Sequence, residues 1–153
     1  MRTDLRLNPV TQDNVRSACR LELRADQDHL VAPVAWSLAE AYTVPDVAWP
    51  RLIYDGDQLV GFIMAAFATG HENPVFHSHL WRLNIGAAHQ GKGYGRFAVE
   101  ELCREAMGRG HNRLTVGYHA GPGGPEVFYE RLHFRPTGER NKGETIAERL
   151  LVT

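Results

Sequence analysis

Gln90-Gly91-Lys92-Gly93-Tyr94-Gly95-Arg96 is the stretch that decides how this chain is read. Before it runs an apolar segment, Leu80–Ile85, with the character of a strand. After it come Phe97, Ala98, Val99, Leu102, Cys103, Ala106 and Met107 in one helical stripe, ended by Gly108 and Gly110. Glycines at 91, 93 and 95 permit unusual φ/ψ and let the backbone approach a ligand closely. The first N–H groups of the following helix lack acceptors within it, and the helix dipole favours an anion there. Lys92 and Arg96 add formal positive charge. Together these features predict a cradle for phosphate or pyrophosphate.

Three nucleotide patterns compete for the stretch. The dinucleotide fingerprint G-x-G-x-x-G fails, because Arg96 stands where the third glycine belongs. A P-loop is nearly met by Gly86, four residues, then Gly91-Lys92; it fails at Gly93, where Ser or Thr would hold magnesium. The pattern Q/R-x-x-G-x-G/A is met by Gln90, Gly93 and Gly95. A loop that needs glycines only to turn is the plain structural alternative.

Outward from the turn, the elements are short and varied. Leu5 and Leu7 alternate with Arg6 in a first strand that ends at Asn8-Pro9. Thr11 is placed to cap a helix reaching Cys19–Leu23. Ser37-Leu38-Ala39-Glu40 has capping-box spacing and predicts the start of a second helix. Arg51–Tyr54 and Gln58–Phe67 flank Asp55-Gly56-Asp57, a hairpin signal. Beyond the central helix, Asn112–His119 reads as a strand and Gly121–Pro125 as a break. Glu126–Leu132 follows as a short helix, with Phe134–Thr137 and Glu144–Val152 as last strands. The predicted order is β-α-α-β-β-β-α-β-α-β-β, without internal repeat or linker.

The 153 residues suit one domain spanning 1–153 that buries its own core. Cys19 and Cys103, in no paired spacing, favour a reducing cytosol over a disulfide framework. The opening residues do not read as a signal peptide, and the longest apolar stretch, near Gly61–Ala68, is too short to cross a bilayer. Residues 1–80 hold ten acids against six Lys/Arg, and residues 81–153 eight against eleven. That asymmetry is either scatter or a sign that an anionic ligand sits on the C-terminal half and a cationic one on the other. No basic cluster suggests a nucleic-acid surface.

Residues Leu83–Gly95, and the later segment Phe128-Tyr129-Glu130-Arg131-Leu132-His133-Phe134, resemble the GNAT superfamily of N-acetyltransferases. The resemblance is strong from Arg51 to Glu139 and weak over the first fifty residues. Among branches it is most similar to bacterial spermine/spermidine-type acetyltransferases. It implies a mixed α/β (α+β) sheet of about seven mostly antiparallel strands with a splayed central pair, and about four helices. It implies acetyl-CoA as co-substrate, with its pyrophosphate on Gln90, Gly91, Lys92, Gly93, Tyr94, Gly95 and Arg96. Leu83, Asn84 and Ile85 would hold the pantetheine arm and acetyl carbonyl, and Phe128 would also touch the coenzyme. The implied reaction is direct acetyl transfer in a ternary complex to a primary amine of a small molecule, such as a polyamine. A cytoplasmic homodimer is a further expectation.

Acetyl transfer from a thioester needs a base for the amine, a donor for the oxyanion and an acid for the leaving thiolate. Tyr129 matches the family's general acid; its other reading is a core aromatic. For the base, relatives place an acid on the fourth strand, where this chain has Trp81 and Arg82. Glu40 is the candidate because the family's second helix lines the acceptor cleft; its other reading is the capping box. Glu72, His71, His77 and His79 are other options for the base, and for the extra ammonium groups of a polycation Glu40 is best placed, with Asp26, Asp28 and Glu72 behind it. His77-x-His79 could pair on a strand face as metal ligands, or be two solvated histidines. Two departures from the family are Pro122, where relatives carry an asparagine that touches coenzyme A, and His133, where a glycine is usual. The second predicts an altered turn after the short helix. A non-catalytic acyl-CoA sensor, or an enzyme for a peptide or antibiotic amine, are the alternatives.

Overall fold

The computed structural model describes residues 4–23 and 32–152. The element order is β1 (Leu5–Pro9), α1 (Val15–Cys19), α2 (Val34–Thr43), β2 (Ala48–Asp55), β3 (Gln58–Ala66), β4 (His79–Ile85), α3 (Tyr94–Gly108), β5 (Arg113–Tyr118), α4 (Glu126–Arg131), β6 (Arg135–Asn141) and β7 (Glu144–Leu150). Single 3-10 turns sit at Pro74–Phe76 and Ala87–His89. The predicted order is therefore observed. The strands form one seven-stranded sheet in the order β1-β2-β3-β4-β5-β7-β6. Pairs β1/β2, β5/β7 and β6/β7 are antiparallel. The β4/β5 pair is parallel and joins His79 to Thr115 and Leu80 to Val116, at the opening of β4. Leu83, Asn84 and Ile85 lie beyond those pairs. The fold is the mixed α/β class that the sequence implied.

Three local expectations are corrected. Asn14, not Thr11, stands at the N-cap of α1: its Oδ1 accepts the Thr11 N–H at 2.7 Å and its Nδ2 donates to the Pro9 carbonyl at 3.1 Å. The helix stops at Cys19, within the expected range of Cys19–Leu23. In α2, Ser37 opens nothing: the helix starts at Val34 behind Pro33, and Ser37 lies inside it, fully buried. Pro33 fixes φ at the entry and has no N–H that would need an acceptor, and the helix starts after it without a side-chain cap. Glu40 is thereby released from the capping-box reading. The turn after α4 also keeps its form. His133 takes φ +70° there, donating its N–H to Glu130 O, while Phe134 donates to Tyr129 O, both at 3.0 Å. That is the left-handed helix ending usually given to glycine, adopted here by a histidine.

The contacts cluster into two compact units. One is Met1–Ala65 with Arg82–Glu101, the other Ala66–Trp81 with Leu102–Thr153. In the first, Leu52, Ile53, Val60, Phe62, Ile63 and Met64 from β2 and β3 are fully buried, as are Ala98 and Val99 of α3. Gly61 is required in that core: a Cβ there would lie 2.7 Å from the Asn84 carbonyl oxygen of β4, a backbone atom that cannot yield. In the second unit, Leu102 and Ala106 of α3 are buried, together with Leu114, Val116, Phe134, Ile146 and Ala147. There α3 ends as predicted, with Gly110 at φ +90° and the His111 N–H on Ala106 O at 3.0 Å.

Candidate active site

In the first unit the loop after β4 is folded back onto the strand. The Gly86 N–H donates to Val60 O at 2.8 Å, and Gln90 Nε2 donates to Ile85 O at 2.8 Å. Gln90 is thus a clamp on the end of β4. Gly91 and Gly93 adopt φ +74° and +83°, a conformation that costs other residues about 1–2 kcal/mol. Gly93 O accepts the Phe97 N–H at 3.1 Å, so the N–H groups of Tyr94, Gly95 and Arg96 fall in the first turn of α3. Those groups have no acceptor one turn back in the helix. Lys92 and Arg96 are exposed beside them. Tyr94 differs from expectation in one respect. Its ring is buried and its hydroxyl donates to Asp55 Oδ2 at 2.6 Å, so its side chain is engaged within the protein. The turn therefore offers backbone donors, a helix dipole and two cations to one anion.

The same unit brings a carboxylate to β4 from another element. Arg82 Nη2 donates to Glu40 Oε1 at 2.7 Å, with both side chains partly exposed. Two residues on, and so on the same strand face, Asn84 is fully buried and donates from Nδ2 to Ala32 O at 2.9 Å. Its Oδ1 is buried without a partner. Forty-two residues separate Glu40 from Arg82, and no spacing rule links such positions in sequence. Asp26 and Asp28 lie outside the described residues.

In the second unit Tyr129 is buried on α4. Its ring stacks on Tyr118 at 5.7 Å and meets Phe128 and Phe134 edge-on at 5.0 and 5.5 Å. Burial, and secondly the neighbouring Tyr118, push its phenol far above the ordinary value of 10. Tyr118 is also raised, by desolvation first and then by Glu126 and Glu130. The Tyr129 phenol therefore keeps its proton at ordinary pH and is a weaker acid than a solvated tyrosine. The loop before α4 holds itself: Gly121 N–H donates to Glu126 Oε1 at 2.9 Å and Gly124 N–H to Gly121 O at 3.0 Å. Pro122, exposed on that loop, brings no side-chain donor.

The histidines do not form the strand pair considered from sequence. His77 follows the 3-10 turn, outside β4, and its Nε2 meets His71 O at 2.7 Å. His79 opens β4, with Nδ1 2.7 Å from Thr115 Oγ1. The Thr115 hydroxyl has one proton and gives it to Val75 O at 2.5 Å, so His79 Nδ1 carries the hydrogen. Desolvation lowers the His79 pKa from 6.5 to about 4. Among the described residues no three His, Cys, Asp or Glu side chains are grouped to hold a metal ion.

The comparisons with solved structures and with family models agree with one another. No curated protein matches the chain. Among solved structures it is similar to an acetyltransferase from Thermus thermophilus, with 25% identity and a TM-score of 0.72 over 98% of this chain and 99% of that one. It is similar to the PaiA N-acetyltransferase from Thermoplasma acidophilum in complex with coenzyme A, with 12% identity and a TM-score of 0.71 over 97% and 99%. It is also similar to the ribosomal-protein-S18-alanine N-acetyltransferase from Escherichia coli, with 16% identity and a TM-score of 0.69 over 98% and 96%. The last two likenesses concern the fold. The model of the Acetyltransferase (GNAT) family matches residues 15–134. The chain therefore belongs to the GNAT acetyltransferase family and is an N-acetyltransferase that takes acetyl-CoA as its co-substrate.

Proposed function

We propose that the chain acetylates a primary amine of a small molecule by direct attack on acetyl-CoA in a ternary complex, with a polyamine such as spermidine as the first acceptor to test. The observation that carries the reading is the turn at Gln90–Arg96, where two left-handed glycines and two exposed cations surround the start of α3. The pyrophosphate is assigned to the backbone of Gly91, Gly93, Tyr94 and Gly95 with Lys92 and Arg96. The pantetheine arm and acetyl carbonyl are assigned to Leu83, Asn84 and Ile85, with Phe128 as a further coenzyme contact.

In this reading Glu40, directly or through a water, takes a proton from the ammonium. The amine nitrogen then bonds to the acetyl carbon and the C–S bond breaks; Tyr129 gives its proton to the departing thiolate and is reprotonated by the second proton that the nitrogen gives up, which leaves the amide, the free thiol and a protonated Glu40. The match of Phe128–Phe134 to the family segment supports the second role, and burial keeps the Tyr129 proton in place at assay pH. The partly exposed Glu40, freed from any cap, supports the first. The reading treats 1–153 as one catalytic domain working in the cytosol.

The test is thiol release from acetyl-CoA with a panel comprising spermidine, a monoamine of similar length, a peptide amine and an aminoglycoside. Preference for spermidine over the monoamine supports the polyamine assignment, and equal turnover removes it. Faster turnover of the peptide or the antibiotic moves the acceptor class. Binding of acetyl-CoA with no turnover of any amine leaves the sensor alternative.

A further inference from the structure

We propose that Arg82 is a positioning residue for acetyl transfer: its guanidinium fixes the carboxylate of Glu40 in the orientation from which it takes the amine proton. The proposal rests on the assignment of Glu40 as the base.

Strand β4 carries no carboxylate of its own. Glu40 nevertheless reaches β4 from α2, where its Oε1 accepts from Arg82 Nη2 at 2.7 Å. Arg82 directly precedes Leu83, the first residue assigned to the acetyl group, and all three belong to the same compact unit. With Oε1 engaged, Oε2 is left to meet an amine or a water. A Glu side chain on a helix surface otherwise samples several rotamers, and a carboxylate that must be caught in one of them is a slow base.

The pair contributes little to stability. Its side chains are 22% and 37% exposed, and ion pairs of that kind are worth about 0–1 kcal/mol. Its consequence is directional, because the planar guanidinium presents its N–H groups along fixed lines where a lysine would present only a charge. The helix that carries Glu40 is tied to β4 a second time. Asn84 holds Ala32, just before α2, while Arg82 holds Glu40 farther along it. Two residues on one strand face thus set the register of α2 against β4.

The experiment is a double-mutant cycle of Arg82→Met and Glu40→Gln, with Arg82→Lys as a third variant. It is read as kcat at saturating acetyl-CoA and amine, as acetyl-CoA affinity and as thermal stability. Arg82→Met keeps the apolar stem and removes the donor. It is expected to lower kcat by roughly 10–100-fold, with acetyl-CoA affinity within about twofold of wild type. Arg82→Lys should recover part of the rate. In the Glu40→Gln background, Arg82→Met should cost nothing more, because the group it orients is gone. The same fold-loss in both backgrounds would overturn the proposal. So would an unchanged kcat for Arg82→Met when Glu40→Gln is impaired; that result leaves Glu40 as base and removes only the role of Arg82. An unchanged kcat for Glu40→Gln itself removes the base assignment and the positioning role together. Should Arg82→Met not fold, Arg82→Lys in both backgrounds decides: a loss present only with Glu40 supports the proposal, and an equal loss in both sinks it.

Discussion

Lowering the pH from about 7 to about 5 should cost the folded chain close to 2 kcal/mol through His79 alone. The imidazole is neutral in the fold, donating Nδ1–H to Thr115 and packed edge-on against Phe76 at 5.1 Å. Its pKa there is about 4, against 6.5 in a solvated chain. Between those values the unfolded state binds a proton that the folded state refuses, so stability falls as pH falls. The slope approaches about 1.4 kcal/mol per pH unit, and the full loss is about 3 kcal/mol below pH 4. His79→Asn removes the titration and keeps a donor near the Nδ1 position for Thr115. Urea unfolding of both proteins at several pH values between 7 and 5 reads the difference directly. The packing lost with the ring is a constant offset, and the remaining histidines are common to both proteins. The wild type should lose about 2 kcal/mol more than His79→Asn over this range. Parallel pH dependences would show that His79 is solvated in the fold and that its bond to Thr115 does not hold the neutral form.

Tyr129→Phe keeps the stacked ring and removes the proton, so kcat should fall by roughly 10²–10⁴-fold while acetyl-CoA affinity stays near wild type; a loss under about threefold would make Tyr129 a packing residue only. Because burial raises the phenol pKa, its proton is retained through ordinary alkaline assay conditions. In wild type, kcat should therefore not decline through phenol ionisation as pH rises from about 8 to about 10. His133→Gly relieves a left-handed histidine and should raise stability by about 1 kcal/mol, read as a higher Tm; a lower Tm would mean the imidazole makes contacts worth more than the backbone strain.

The turn and the elements around it were legible because their signals are local. Glycines beside a helical stripe, an Asp-Gly hairpin and a helix ended by glycine each depend on residues a few positions apart, and each element lies where the sequence placed it. Helix starts were less legible. Ser37 and Glu40 have capping-box spacing, but the helix had already begun one turn earlier behind Pro33, because tertiary burial of Val34, Ser37 and Ala41 sets its phase. His133 predicts a slightly altered turn because sequence reveals the missing glycine and not that the surrounding chain still imposes a positive φ. Within the candidate site, the glycine-rich turn with its left-handed Gly91 and Gly93 could be read from its motif. The link between Glu40 and Arg82, the bond from Tyr94 to Asp55 and the stacking of Tyr118 on Tyr129 could not, since each joins residues that only the folded sheet brings together.

The most direct measurement is the affinity of acetyl-CoA, by calorimetry, for wild type and Gly93→Asp, with circular dichroism to establish that the variant is folded. Gly93 stands at φ +83° before the first turn of α3, and an aspartate there would set a negative charge and a Cβ where the pyrophosphate has to approach. Gly93→Ala, which adds the Cβ without the charge, separates strain from repulsion. If the turn holds the coenzyme, Gly93→Asp should weaken acetyl-CoA binding at least tenfold, about 1.4 kcal/mol or more, and by more than Gly93→Ala does. A folded Gly93→Asp variant with wild-type affinity would contradict the assignment and place the coenzyme elsewhere on the chain.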